Sequence, residues 1–127
     1  MRRPRDWFHQ AELDLRAAGD ARRSGHYEWA CFAAQQAAEK AVKALHESIG
    51  VEAWGHSVTE LLRGLEGVPA DLLDSARALD KHYIPTRYPN AHPSGAPGEL
   101  YTAPEADRAL VDAEMVIEYA RRRLPPA

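Results

Sequence analysis

Arg87 and His92, separated by Tyr-Pro-Asn-Ala, put a permanent cation and a titratable imidazole within one short stretch of chain. An arginine grips a phosphate through two parallel hydrogen bonds. A histidine takes a proton from a ribose 2′-hydroxyl or gives one to a departing 5′-oxygen. Cleavage of RNA needs those two roles and no metal. Tyr88 and Asn90, lying between them, join them as candidate nucleotide or RNA contacts. Taken alone the spacing is weak, because such pairs occur by chance and Arg87 also suits the end of a preceding helix.

Two other groups extend the candidate set. His56 precedes the capping pair Ser57 and Glu60, where free helix amides favour an anion, although a place in the turn is the plainer reading. Glu39, Lys40 and Lys43 can reach a ligand from the second helix, yet Glu39 and Lys43 also make an ordinary i,i+4 surface pair. Trp7, Trp29 and Trp54 can stack on bases, but tryptophans near helix ends more often serve a core or a dimer contact. Arg121, Arg122 and Arg123 read as a solvated helix end that complements the macrodipole.

Familiar reactive patterns are missing from the sequence. It has no Gly-x-x-x-x-Gly-Lys loop, no Gly-x-Gly-x-x-Gly turn, no nucleophile elbow and no His-Glu-x-x-His. The six histidines form no metal-ligand pattern, and the single Cys31 rules out an internal disulfide, so we expect neither a metal nor another cofactor.

The elements that position these groups follow from hydrophobic spacing. Phe8, Ala11, Leu15, Ala18 and Ala21 mark a first helix over about 5–23. A second, over about 26–49, carries the stripe Tyr27, Cys31, Ala34, Ala38, Ala41, Leu45 and Ile49 between Gly25 and Gly50. Its small residues allow close helix approach, which makes it the expected central element, with Glu28, Gln35, Glu39, Lys43 and Glu47 on the opposite face. A short third helix spans about 57–64 and a fourth about 70–83. The Pro- and Gly-rich segment 84–102 is expected to be an irregular loop. Thr102 and Glu105 form a capping box opening the last helix, over about 103–123. With no period-two alternation anywhere, the fold class is all-α, an antiparallel up-and-down four-helix bundle with a short additional helix.

Bulk properties agree. A chain of 127 residues, 45% hydrophobic and 28% charged, fits one domain with one core, here 1–127. A formal charge of −3 argues against nucleic-acid binding through overall positive charge and leaves a local basic patch open. Without an apolar membrane span or secretory h-region, a cytoplasmic protein is expected.

From about Asp6 to about Leu124 the chain resembles the HEPN family (higher eukaryotes and prokaryotes nucleotide-binding domain), in the small prokaryotic type that contains Arg-Tyr-Pro. Ala-Glu-x-Asp-Leu at Ala11–Leu15, QQAAEKAVKAL at Gln35–Leu45, Gly55-His56-Ser57, and RYPNAH followed by Tyr101-Thr102 carry the resemblance. It implies a helical bundle that forms a homodimer and frequent pairing with a small nucleotidyltransferase. Many members are metal-independent ribonucleases whose motif is Arg, four to six residues, then His, and Arg87 and His92 fit it. Active members commonly carry a polar residue directly after the arginine. Tyr88 and Pro89 stand there in this chain, with Asn90 the nearest amide. Three readings therefore remain open: a toxin-like ribonuclease acting through Arg87 and His92 at a dimer cleft, a non-catalytic module that binds a nucleotide or a nucleotidyltransferase partner, or a purely structural helical dimer.

Overall fold

A computed structural model describes residues 2–126, and every regular element among them is helical. In chain order these are α1 (Pro4–Arg23), α2 (Tyr27–Ser48), α3 (Val58–Arg63), α4 (Ala70–Asp80), a single 3₁₀ turn (Pro89–Ala91), α5 (Pro97–Leu100) and α6 (Ala103–Arg123). The last of these is the fifth helix expected from the sequence.

Gly25, with φ +80, turns the chain from α1 into α2, which then packs along α1 on one side and α6 on another. Ala30, Ala34, Ala37, Ala38, Ala41 and Ala44 of α2 are all fully buried. Without side-chain bulk at these positions, neighbouring helices approach closely and bury backbone as well as methyl groups. Leu62 of α3, Leu79 of α4, and Val116 and Ile117 of α6 fill the wider spaces of the same core. Lys40 reaches Asp14 at 2.5 Å, and Arg22 reaches Asp107 at 2.7 Å, tying α2 to α1 and α1 to α6. No helix among the described residues is long and apolar enough to cross a membrane.

Three expectations need correction. The polar residues of α2 do not form a solvated face: Gln35 is fully buried and Glu39 is 3% exposed. The 51–56 segment covers them, and the Gln35 amide donates to the His56 carbonyl at 2.8 Å. At the far end of the stripe Ile49 is 62% exposed, because it follows the last helical turn and Gly50, at φ +73, redirects the chain. Finally, α4 stops at Asp80, and the 84–102 segment is partly regular, containing the 3₁₀ turn and α5. After Asp80 the backbone closes three-residue turns instead, with the amides of His82 and Tyr83 donating to Leu79 and Asp80. Pro85 lacks the donor that further helix would require.

Asp80 has a second task. Its carboxylate accepts the Val58 amide at 2.7 Å, the Thr59 amide at 3.1 Å and the Ser57 hydroxyl at 3.0 Å. One side chain at the end of α4 thus caps the start of α3.

Candidate functional site

The turns that follow α4 aim Arg87. Its amide donates to the Ile84 carbonyl at 3.1 Å, and its Nε donates to the Tyr83 carbonyl at 2.9 Å. Thr86, 2% exposed, anchors the same turns by donating its hydroxyl to the His82 carbonyl at 2.7 Å. The plain reading of Arg87 as a helix-end cap is therefore half true, since Nε serves a carbonyl just past α4. The rest of the guanidinium lies among aromatic rings, with its carbon 4.5 Å from the Phe32 centroid, 4.6 Å from Tyr83 and 5.2 Å from Tyr88. Such faces attract a cation without neutralising it. Most arginines of the chain pair with a carboxylate, as Arg22 does with Asp107, but among the described residues neither terminal nitrogen of Arg87 has a protein hydrogen-bond partner. Its charge is oriented and uncompensated.

His92 closes the 3₁₀ turn, its amide donating to the Pro89 carbonyl at 3.0 Å. Its Nε2 lies 2.6 Å from the Pro85 carbonyl oxygen. A carbonyl only accepts, so this contact places the hydrogen on Nε2 and leaves Nδ1 with the lone pair that exchanges protons. Tyr101 meets the ring at a right angle, centroids 6.2 Å apart, and its own hydroxyl lies 3.4 Å from His82 Nδ1. Burial pushes the Tyr101 phenol up to about 12 and holds His82 below the usual imidazole value, so a neutral phenol donates to a neutral ring. Asn90 sits exposed in the 3₁₀ turn, while Tyr88 is 46% exposed against Arg87.

The other two candidates occupy one polar cluster. Glu39 accepts Lys43 Nζ at 3.2 Å and His56 Nδ1 at 3.2 Å, with the Gln36 amide at 3.4 Å. Lys43 also lies 5.7 Å from the Trp7 ring, beside a cavity of about 390 Å³ that Trp54 and Glu47 help to line. The surface-pair reading of Glu39 and Lys43 fails, for their side chains are only 4% and 12% exposed. An anion at the start of α3 fails too, because Asp80 already occupies the Val58 and Thr59 amides. Trp29 and Trp54 are not core residues, being 51% and 81% exposed. The His56 ring stacks on Tyr83 at 4.7 Å and 17°, and Tyr83 in turn carries Arg87. Tyr83 thereby joins His56 to Arg87, whereas His92 packs with Tyr101 and Lys43 with Trp7.

Reasoning from sequence missed Gln35, Phe32, Tyr83 and Tyr101 and took Glu39 for half of a surface pair. One signal was present: alanines occur on nearly every side of α2, so the helix has no solvated face, and any polar residue among them must be buried and partnered. Among the described residues, no three His, Cys, Asp or Glu side chains gather as metal ligands would.

Comparison with known proteins places this architecture. A family model described as the HEPN domain matches residues 4–123. A protein of Methanocaldococcus jannaschii named "Putative toxin MJ1304" is 30% identical over 124 residues, covering 88% of this chain and 82% of its own length. Among solved structures, TT1696 of Thermus thermophilus is similar at a TM-score of 0.95 with 50% identity, over 98% of this chain and 100% of that one. ST0689, an archaeal HEPN homologue, gives 0.86 with 44% identity over 98% and 100% of the two chains. A HEPN domain protein from Thermotoga maritima gives 0.75 with 38% identity over 92% and 95%. The matched stretch runs from the first residue of α1 to the last residue of α6, and the chain belongs to the HEPN domain family.

Proposed function

We propose that this protein is a metal-independent endoribonuclease that acts as a homodimer and serves as the toxin of a pair whose other member is a small nucleotidyltransferase. The observation that carries the reading is Arg87: a guanidinium fixed by Tyr83 and three rings, with both terminal nitrogens left for an anion. His92 supports it with an Nδ1 lone pair set by the bond from Nε2 to Pro85. In the reaction the ribose 2′-oxygen loses its proton and bonds to phosphorus while the bond from phosphorus to the 5′-oxygen breaks. The products are a 2′,3′-cyclic phosphate and a 5′-hydroxyl. Arg87 stabilises charge on the pentavalent phosphorus, and His92 transfers a proton.

Homodimerisation at this surface is supported by the exposed apolar side chains around the arginine, namely Trp29 at 51%, Ile84 at 47% and Tyr88 at 46%. The toxin role rests on the name carried by the archaeal relative. Purified protein incubated with structured and unstructured RNA should yield cyclic-phosphate ends, and Arg87→Ala and His92→Ala should each slow cleavage by about 10²-fold or more. Equal cleavage by all three proteins, or cleavage by none, overturns the reading.

One observation favours a non-catalytic module instead. The His92 ring spends Nε2 on Pro85, as a loop latch would, behind the stiff Tyr88-Pro89 step. Binding of a nucleotide or co-purification of a nucleotidyltransferase, undiminished by Arg87→Ala and without RNA cleavage, would decide for it.

A further inference from the structure

Cleavage of a phosphodiester through its 2′-hydroxyl moves two protons, one off the nucleophile and one onto the leaving oxygen, and a single imidazole serves both only by changing state in between. We infer that His56, held by Glu39, is the second proton-transfer group and takes the 2′-hydroxyl proton, leaving His92 to protonate the 5′-oxygen. The inference rests on the ribonuclease reading above and adds a catalytic residue to it.

The geometry is that of a carboxylate-oriented histidine. Glu39 is buried, with its Oε1 3.2 Å from His56 Nδ1, while the His56 side chain is 56% exposed. A carboxylate accepts, so Nδ1 carries the hydrogen and Nε2 keeps the lone pair of this half-exposed ring. The ring is also supported from one face, which lies on Tyr83 at 4.7 Å. Tyr83 also supports the Arg87 guanidinium at 4.6 Å and accepts its Nε–H through the backbone, so base and phosphate clamp share one mounting. A histidine serving only the turn would not need a buried acid behind it. That acid is itself fixed on its other side by Lys43 Nζ at 3.2 Å. The charged groups around the imidazole are therefore Glu39 and, one side chain further away, Lys43 and Arg87.

In the first step the 2′-hydroxyl proton passes to His56 Nε2 as the 2′-oxygen bonds to phosphorus. As the bond from phosphorus to the 5′-oxygen breaks, protonated His92 gives its Nδ1 proton to that oxygen. The two rings then hold exchanged protonation states, which solvent resets.

The test compares wild type with His56→Gln, His56→Asn, Glu39→Gln and His92→Ala on ordinary RNA and on RNA with sulfur in place of the scissile 5′-oxygen. A thiolate leaves without protonation, so the sulfur substrate relieves loss of the acid and not loss of the base. Expected are a 10²- to 10⁴-fold fall in kcat/KM for both His56 variants, by about the usual worth of such a group, with the acidic limb of the pH profile lost, and a smaller fall for Glu39→Gln. His92→Ala should recover on the sulfur substrate while the His56 variants stay slow. Wild-type-like cleavage by a folded His56 variant, or rescue of His56→Gln by sulfur, overturns the assignment. If wild type is active and depends on Arg87 and His92 while His56 is dispensable, this inference alone falls. An inactive wild type sinks the ribonuclease reading and this inference together.

Discussion

Replacing Glu39 with alanine strips the partner from Lys43 and His56, each 3.2 Å away, while the Gln36 amide keeps its bond to Gln35 at 2.8 Å. Were this the surface pair that its i,i+4 spacing suggests, the loss would be about 0.2–1 kcal/mol. Burial predicts more. Removing one member of a buried ion pair costs about 3–5 kcal/mol, because the remaining charge is left without a partner in a poor solvent. Lys43 keeps 12% of its side chain exposed, beside the cavity under Trp7, so water partly replaces the carboxylate and the lower end of that range applies, about 3 kcal/mol. For a chain of this length a loss of that size lowers Tm by roughly 10 °C. Urea denaturation at pH 7.5 of wild type, Glu39→Ala and the double variant Glu39→Leu/Lys43→Met measures it. The double variant should recover much of the loss, since it leaves no orphaned charge. A loss below about 1 kcal/mol for Glu39→Ala would refute the buried-cluster argument.

Asp80→Ala should cost about 1–2 kcal/mol and speed amide exchange at Val58 and Thr59, both of which the carboxylate caps; unchanged exchange there would deny Asp80 that role. His82 sets a pH dependence. Burial lowers its folded pKa from 6.5, outweighing Glu105 and Asp112, which raise it, while Lys81 lowers it further. The unfolded chain then binds the proton more readily, so the His82 contribution is complete above about pH 6.5 and falls as the pH descends toward the lowered value. His82→Gln should flatten that part of the stability profile in denaturant titrations, and an unchanged slope would count against the burial argument. The Cys31 thiol, buried and pushed up to about 12, should resist iodoacetamide at pH 8 until denaturant is added; rapid labelling of the native protein would contradict its burial.

The helical scaffold was legible because its signals are local and repeated. Thr102 with Glu105 announced the start of α6 and forms a complete capping box, and the alanine stripe located the centre of the bundle. Arg87 and His92 stood out by residue type alone. What surrounds them did not. Phe32, Tyr83 and Tyr101 come from three separate parts of the chain, and nothing in their spacing says that they meet around these two side chains. Gln35 and Glu39 were misassigned because a polar residue is read as solvated by default, and the segment that covers them, 51–56, has no periodic pattern to betray where it lies. Elements of three and four residues, such as Pro89–Ala91 and Pro97–Leu100, are too short for any periodicity to register.

The alanine seam of α2 divides labour within the molecule. Ala34, Ala38 and Ala41 are fully buried, so a larger side chain at any of these positions would wedge the helices apart. The stretch from Tyr83 to Tyr101 lies outside that seam, attached to α4 at one end and α6 at the other. Side chains exposed on that stretch can change with little strain on the frame, whereas Glu39, the part of the site drawn from α2, ties reactivity to the stability of the bundle.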